Sequence, residues 1–234
     1  MSNLPANPVF CALDTTDSAR AATLAHSLQG VAGGLKLGLE FFYACGHAGY
    51  RSVAEAGLPL FLDLKLHDIP NTVAGGVRAL LPLRPTIMTI HAGGGLAMMK
   101  AAVEAAAEAG DDRPLIVGVT VLTSLDQSDL AAMGVQGSTG EQVLRLAELA
   151  EKAGLDGVVC SAHEIGALRR ERSPGFKLIV PGIRPAGAAI GDQKRVMSPA
   201  DALALGADVL VIGRPITEAA DPRAAAEAIR TSLS

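Results

Sequence analysis

Charged side chains are concentrated in one short apolar stretch of the sequence, FLDLKLHDIPNTV at residues 61–73. Asp63 and Lys65 lie two residues apart within it, and Asp68 follows Lys65 closely. A lysine held beside carboxylates stays protonated, so it can stabilise a developing negative charge and then donate a proton. The pattern therefore predicts a functional site in which these charges compensate one another. For any one of these charges alone, a solvated strand end is the competing interpretation.

The spacing of Asp63 and Lys65 predicts that both project from the same face of a β-strand. Side chains alternate along a strand, so the two would share a face with Phe61, and the leucines between them would occupy the other. Unpaired ions in a site that excludes water cost several kcal/mol, so these charges require counterions. We expect one mutually compensating set of two cations and three anions, namely Asp14, Lys36, Asp63, Lys65 and Asp68.

Eight short apolar runs recur along the chain, separated by Ala-rich stretches with helical character. They cover residues 9–14, 34–40, 58–67, 86–92, 115–122, 157–162, 177–183 and 209–216. A strand followed by a helix, eight times in 234 residues, predicts an α/β protein with the (β/α)₈ TIM-barrel fold. An open doubly wound sheet more often stops at about five or six strands. No linker interrupts the pattern, so a single domain is predicted over residues 1–234.

The polar residues fall where a barrel of this kind carries its chemistry. Active sites of (β/α)₈ barrels lie at the C-terminal ends of the strands and in the loops that follow. The residues at or after the predicted strand ends are Asp14, Asp63, Lys65, Asp68, Thr72, His91, Thr123, Arg184, Gly213 and Arg214, and Lys36 lies within the second strand. A barrel with only structural side chains would lack this bias.

A second group of residues predicts a phosphate site near the ends of strands 7 and 8. The segments GDQKRVMSP and VLVIGRPI contain Gln193, Gly213 and Arg214. This is the region where such barrels often bind phosphate through backbone N–H groups, and an arginine adds a bidentate clamp. The IGRP motif alone also fits a turn with an exposed cation. The long connection over residues 184–199 favours the phosphate interpretation, because a loop of that length is usually a functional lid or else disordered.

Composition narrows the class of partner. The formal net charge of −4 does not favour binding to nucleic acid or to an anionic membrane surface, so a small-molecule partner is predicted. The N-terminal residues lack the features of a signal peptide, and no long uncharged apolar run occurs, which favours a cytoplasmic protein. Cys11, Cys45 and Cys160 lack metal-ligand spacing and are expected to be reduced core thiols.

These segments together resemble the bacterial type of the orotidine 5′-phosphate decarboxylase family. LDLKLHDIPNTV, residues 62–73, fits that family's signature of Asp-x-Lys-x-x-Asp-Ile-x-x-Thr. This signature alone also occurs in sugar-phosphate relatives, whereas the full set of motifs is specific. The other matching segments, in family order across nearly the whole chain, are ALD (12–14), LKLGLEFF (35–42), TIHAGGG (89–95), VLTS (121–124), PGIRP (181–185), GDQKRV (191–196) and IGRPI (212–216).

The resemblance implies a homodimer of barrels that converts orotidine 5′-monophosphate to UMP and CO₂ in de novo pyrimidine biosynthesis, with no cofactor and no metal. It implies that Lys65 is the proton donor and that Lys36, Asp63 and Asp68 complete its charged array. Asp68, Ile69 and Thr72 would reach into the neighbouring subunit's site. The implied substrate contacts are Asp14 and Lys36 at the ribose hydroxyls, Thr123 at the pyrimidine, Pro181 in the substrate site, and Arg184, Gln193, Gly213 and Arg214 along the phosphate and its closing loop.

Two other functions remain open at this point. The first is a sugar-phosphate lyase or decarboxylase on the same scaffold that uses Mg²⁺ to stabilise an enediolate. Such relatives carry a glutamate ligand on the second strand where this chain has Lys36, which repels a divalent cation, although Glu40 lies nearby. The second is a non-catalytic ribose-phosphate-binding barrel, which needs the phosphate end but not two lysines among carboxylates.

Overall fold

A closed barrel of eight parallel strands forms the centre of the protein. The computed structural model describes residues 4–185 and 197–233. The strands pair in chain order, and the last pairs with the first. Each predicted apolar run contains one strand, which confirms the (β/α)₈ barrel. The strands are β1 (Val9–Ala12), β2 (Gly34–Gly38), β3 (Leu60–Leu66), β4 (Ile87–His91), β5 (Leu115–Val119), β6 (Gly157–Val159), β7 (Lys177–Pro181) and β8 (Val209–Ile212).

Helices follow every strand and cover the outside of the barrel. Polar N-caps begin several of them: Asp17 accepts hydrogen bonds from two N–H groups of α1, and Ser138 forms a capping box with Glu141 at α6. The α-helices in the described residues are α1 (Ser18–Ser27), α2 (Leu39–Ala54), α3 (Pro70–Leu80), α4 (Gly95–Ala107), α5 (Gln127–Ala132), α6 (Thr139–Ala153), α7 (Ile165–Glu171), α8 (Pro199–Ala204), α9 (Arg214–Thr217) and α10 (Pro222–Thr231). None of them is long and apolar enough to cross a membrane.

Two apolar layers result from the alternation of side chains along the strands. Along β1, Val9 and Cys11 belong to the layer between strands and helices, whereas Phe10 and Ala12 belong to the barrel interior. The interior layer consists of Phe10, Ala12, Phe61, Ile87, Val117, Ile179, Val209 and Val211. Because these side chains fill the interior, the polar chemistry is confined to the mouth of the barrel.

The cysteines divide between the core and a half-buried position. Cys11 and Cys160 are buried, as predicted, and burial raises the pKa of the Cys11 thiol to about 12, so this thiol is unreactive at neutral pH. The prediction was wrong for Cys45, which is only half-buried on α2 and whose thiol donates to the carbonyl of Thr16. Cys45 lies on the part of α2 that reaches towards the loop after β1.

Strand β3 departs from regular pairing with β4 at the charged positions. Leu62 pairs with Met88 and Leu66 with Ile90, so three residues of β3 face the single intervening residue of β4. Lys65 lies within this bulge with a φ of 53°, in the left-handed region. The predicted division of faces nevertheless holds, because Phe61, Asp63 and Lys65 line one cavity at the mouth of the barrel. The leucines between and after them pack in the outer apolar layer. A bulge of this kind re-aims a side chain.

Candidate active site

Four charged side chains form an alternating row at the C-terminal mouth of the barrel. Lys36 Nζ lies 3.2 Å from Asp14 Oδ1 and 3.6 Å from Asp63 Oδ2, and Lys65 Nζ lies 2.8 Å from the same Asp63 oxygen. The row is anion, cation, anion, cation, and its formal charges cancel. We call these residues, Asp14, Lys36, Asp63 and Lys65, the charged row. They are four of the five residues that the sequence predicted to form one set.

Neighbouring strands bring these residues together because parallel strands end at the same rim. Lys36 on β2 is opposite Ala12 of β1 and Phe61 of β3, and Gly38 is opposite Asp63. A Cβ atom on Gly38 would lie 3.0 Å from Lys36 Nζ, so any side chain there would crowd the ammonium group. The glycine therefore leaves room for Lys36 to extend between the two carboxylates.

Burial makes the pairing within the charged row obligatory. The side chains of Lys36 and Asp63 are each 12% exposed, and that of Lys65 is 29% exposed. Removing charges from water to this extent costs several kcal/mol per ion unless partners compensate. Asp63 is compensated on both oxygens, because Thr89 Oγ1 donates to Oδ1 at 3.0 Å while the two lysines share Oδ2. Asp63 is therefore the central member of the row.

Asp68 does not join the charged row within the chain. Its side chain is exposed, and its Oδ1 accepts a hydrogen bond from the Ile69 N–H at 2.7 Å. Among the described residues, no ion pair joins Asp68 to Lys36 or Lys65. Ile69 is 67% exposed, and Thr72 is exposed in the first turn of α3. None of the three lines a cavity at the mouth of their own barrel, so their expected place in a neighbouring subunit's site stays a prediction.

Two adjoining cavities open at the mouth of the barrel. The first, of about 210 Å³, is bounded by charged-row residues on one side and by an apolar wall and Thr123 on the other. The second, of about 410 Å³, runs from Asp14 to Arg184 and Arg214. Lys36, Pro181 and Val211 line both cavities. The cleft therefore has a half-apolar end beside Lys65 and a cationic end beside the arginines.

The cationic end contains three of the residues predicted to bind phosphate. Arg184, Gly213 and Arg214 line the larger cavity at the ends of β7 and β8. Burial and the nearby charge of Arg214 lower the pKa of Arg184 from its usual value. Two guanidinium groups that line the same cavity repel each other, so binding of an anion between them would be favourable. Gln193, and most of the 184–199 connection with it, lies outside the described residues.

Several residues beside the cleft were not identified from the sequence. Thr89 and Gly38 contact or border the charged row, and Val121 and Leu122 contribute to the apolar wall. Nothing in the residue types alone distinguishes Thr89 from an ordinary strand threonine, since its contact depends on the bulge in β3.

Two histidines stack beside the charged row. The rings of His67 and His91 have centroids 5.1 Å apart with an interplanar angle of 29°. Burial, followed by the charges of His67 and Lys65, lowers the pKa of His91 below its usual value. This direction favours the neutral ring, which adds no charge to the row.

No group of three or more metal-ligand side chains occurs within the described residues. Lys36 holds the central position on β2, where its ammonium group contacts both aspartates. Glu40 is exposed in the first turn of α2. The donor set at the mouth of the barrel thus alternates in charge, an arrangement that suits an ammonium group better than a divalent cation.

Comparisons with known proteins give a consistent result over nearly the whole chain. The family model described as "Orotidine 5'-phosphate decarboxylase / HUMPS family" matches residues 7–229. A protein named orotidine 5′-phosphate decarboxylase from Novosphingobium aromaticivorans is 56% identical over 227 residues, which cover 97% of this chain and 99% of the relative. The relative of the same name from Rhodospirillum rubrum is also 56% identical, over 98% of this chain and 95% of its own length. The crystal structure of orotidine 5′-phosphate decarboxylase from Lactobacillus acidophilus superposes with a TM-score of 0.85 at 36% identity, covering 97% of this chain and 99% of that one.

Proposed function

Because the chain belongs to the orotidine 5′-phosphate decarboxylase / HUMPS family, we propose that it decarboxylates orotidine 5′-monophosphate to UMP and CO₂ in pyrimidine biosynthesis, with Lys65 as the proton donor. The observation that carries the mechanistic part is the charged row, in which Lys65 Nζ lies 2.8 Å from Asp63 and borders the smaller cavity. The conversion needs no electron acceptor, since the electron pair of the broken C–C bond is taken up by a proton.

The reaction needs a cation beside the carbon that loses CO₂. Cleavage of the bond at C6 leaves an electron pair in the plane of the pyrimidine ring, where the ring carbonyls delocalise it poorly. The ammonium group of Lys65 stabilises that charge and then transfers a proton to C6. Asp63 orients the ammonium group of Lys65 through the ion pair at 2.8 Å.

Asp63 has a second effect on the bound substrate. Its carboxylate borders the same cavity as Lys65, where the carboxylate of the substrate would be bound. Repulsion between the two carboxylates raises the energy of the ground state and disappears as neutral CO₂ leaves. Lys65 and Asp63, the two partners of one ion pair, therefore both lower the activation barrier.

A single lysine is insufficient to account for the rate enhancement that such a reaction requires. One preorganised donor contributes roughly 3 to 4 kcal/mol, whereas the most demanding reactions require on the order of 20 kcal/mol. The remainder has to come from binding energy at a distance from C6, and the phosphate is the natural source. Arg184 and Arg214 at the cationic end support this role of the phosphate. Gln193, which lies outside the described residues, is expected to add a contact from the closing loop.

The remaining substrate contacts follow from the lining of the cleft. Lys36 lines both cavities, and Asp14 lies beside it in the larger one, positions that suit the ribose hydroxyls. Thr123 and Pro181 border the half-apolar end, which suits the pyrimidine ring. Gly213 begins the turn before Arg214 and leaves its backbone accessible to the phosphate.

A homodimer with shared sites is the assembly that the exposed residues support. Leu39, Tyr43, Ile69 and Leu96 are large apolar side chains exposed after β2, β3 and β4, which are adjacent strands. Exposed apolar groups gathered on one side of a molecule mark an interaction surface. A second copy docked there would bring Asp68, Ile69 and Thr72 to the charged row of its partner.

The central experiment follows the ultraviolet absorbance of orotidine 5′-monophosphate on mixing with chelator-treated protein. We expect the substrate band to disappear at the same rate with and without EDTA. The Lys65→Ala variant should lose turnover by several orders of magnitude while remaining folded. Alanine carries a Cβ atom as lysine does, so the substitution adds no backbone strain at this left-handed position. The matched control is Lys152→Ala, which removes an exposed lysine from α6.

The outcomes separate the three candidate functions. Activity abolished by EDTA and restored by Mg²⁺ would favour the metal-dependent enzyme. Substrate binding without any loss of the band in the wild-type protein would favour the binding barrel. Appreciable UMP formation by Lys65→Ala would remove Lys65 as the proton donor.

The Arg214→Ala variant should bind the phosphate group much more weakly. We expect kcat/KM for orotidine 5′-monophosphate to fall by about 100-fold or more, because charge-assisted contacts to phosphate are among the strongest polar interactions. The control is Arg170→Ala, in which an exposed arginine of α7 is removed. Unchanged kinetics of the Arg214 variant would exclude this residue from the site.

Co-expression of two inactive variants tests whether Asp68 acts across the dimer interface. If it does, a heterodimer of Lys65→Ala and Asp68→Asn contains one site with both residues intact. Random pairing then restores about a quarter of the wild-type activity, because about half of the dimers are mixed and each has one of its two sites intact. Co-expression of Lys65→Ala with Asp63→Asn is the matched control and should restore none. An equal absence of recovery in both mixtures would mean that Asp68 acts within its own chain.

A further inference from the structure

Thr89 connects Asp63 and Lys65, two adjacent members of the charged row, through one hydroxyl group. It lies on β4, and only 1% of the residue is exposed. Its Oγ1 accepts a hydrogen bond from the backbone N–H of Lys65 at 2.8 Å and donates one to Asp63 Oδ1 at 3.0 Å. These directions are fixed, because an N–H group only donates and an ionised carboxylate only accepts.

Thr89 also occupies the position on β4 where the pairing with β3 is interrupted. Leu62 pairs with Met88 and Leu66 with Ile90, which leaves Asp63, Leu64 and Lys65 opposite Thr89 alone. Within this bulge Lys65 has a φ of 53°. A residue other than glycine keeps such a conformation only where the surrounding contacts impose it. The hydrogen bond from its N–H to Thr89 is one such contact.

The same hydroxyl determines which oxygen of Asp63 is available to the lysines. Oδ1 is held by Thr89, whereas Oδ2 is the oxygen that both Lys36 and Lys65 contact, at 3.6 Å and 2.8 Å. The position of Oδ2 sets the position of Lys65 Nζ. Thr89 therefore acts on the backbone of Lys65 and on the carboxylate that orients its ammonium group.

We propose that Thr89 is a positioning residue for the decarboxylation, which locks the bulge of β3 so that Asp63 and Lys65 meet at the smaller cavity. This inference rests on the proposed function. Thr89 does not line either cavity at the mouth of the barrel, so its effect is exerted through Asp63 and Lys65. It should influence the chemical step far more than the binding of the ribose or the phosphate.

The test compares Thr89→Val, which has nearly the same shape but no hydroxyl, with Thr89→Ser, which keeps the hydroxyl. We expect kcat of the valine variant to fall about 10- to 100-fold, because small displacements of reacting groups have effects of that size. Its KM for orotidine 5′-monophosphate and its Kd for UMP should stay within about threefold of wild type. The serine variant should retain kcat within about threefold.

Thr120→Val is the matched control for the loss of a buried hydroxyl. Thr120 is 5% exposed and follows β5, and its Oγ1 donates to the backbone carbonyl of Val159 at 2.9 Å rather than to a member of the charged row. A similar loss of thermal stability is expected in both valine variants, with kcat of Thr120→Val unchanged within about twofold. If Thr89→Val is insoluble, the comparison of Thr89→Cys with Thr89→Ser serves instead, since a thiol is a weak hydrogen-bonding group.

Three results would overturn the proposal while the proposed function stands: a valine variant with wild-type kcat, a serine variant as impaired as the valine variant, or an equal fall of kcat in Thr120→Val. Wild-type protein that leaves the substrate band intact would instead overturn the proposed function, and the positioning role with it. The two failures are thus distinguished by the wild-type measurement.

Discussion

Mutual compensation of charge at the mouth of the barrel is the constraint on which the rest of the site depends. Lys36 and Asp63 are almost withdrawn from solvent, and each would be strongly destabilising without a partner. In the charged row every ion has a neighbour of opposite charge, which compensates the loss of water around it. The site thereby holds an ammonium group, the proposed proton donor, and a carboxylate, the proposed source of repulsion for the substrate, in one stable arrangement.

The fold supplies this arrangement through features of three adjacent strands. Parallel pairing brings the ends of β1, β2 and β3 to one rim, Gly38 leaves space for Lys36, and the bulge in β3 directs Lys65 towards Asp63. The barrel interior below is filled by apolar side chains such as Phe10 and Phe61. In the part of the chain that the structure describes, the cleft therefore lies at the mouth, where Pro181 lines both its arginine end and its lysine end.

The sequence was sufficient to predict the eight strands, because each is a short apolar run followed by a segment with helical character. It was also sufficient to predict that Asp14, Lys36, Asp63 and Lys65 meet, since charged residues at the ends of neighbouring strands have to compensate one another. The bulge could not be predicted, because alternation assumes one residue of β3 for each residue of β4. The contact of Thr89 depends on that bulge and was missed for the same reason.

The surroundings of Asp68 and Cys45 could not be predicted from the sequence either. Asp68 is exposed and bonded to its own loop, so its expected contribution to catalysis requires a second subunit. The half-buried state of Cys45 depends on how α2 packs near the loop after β1, which residue type does not encode.

The most direct test of the central claim is the distance between Lys65 Nζ and C6 of the pyrimidine in a crystal structure of the protein with bound UMP. Our account predicts a separation of about 3 to 3.5 Å, the range for groups poised to react, with Asp63 still in contact with the ammonium group. A separation beyond about 5 Å, with the ammonium group turned away from the base, would leave no direct path for the proton and would contradict the account.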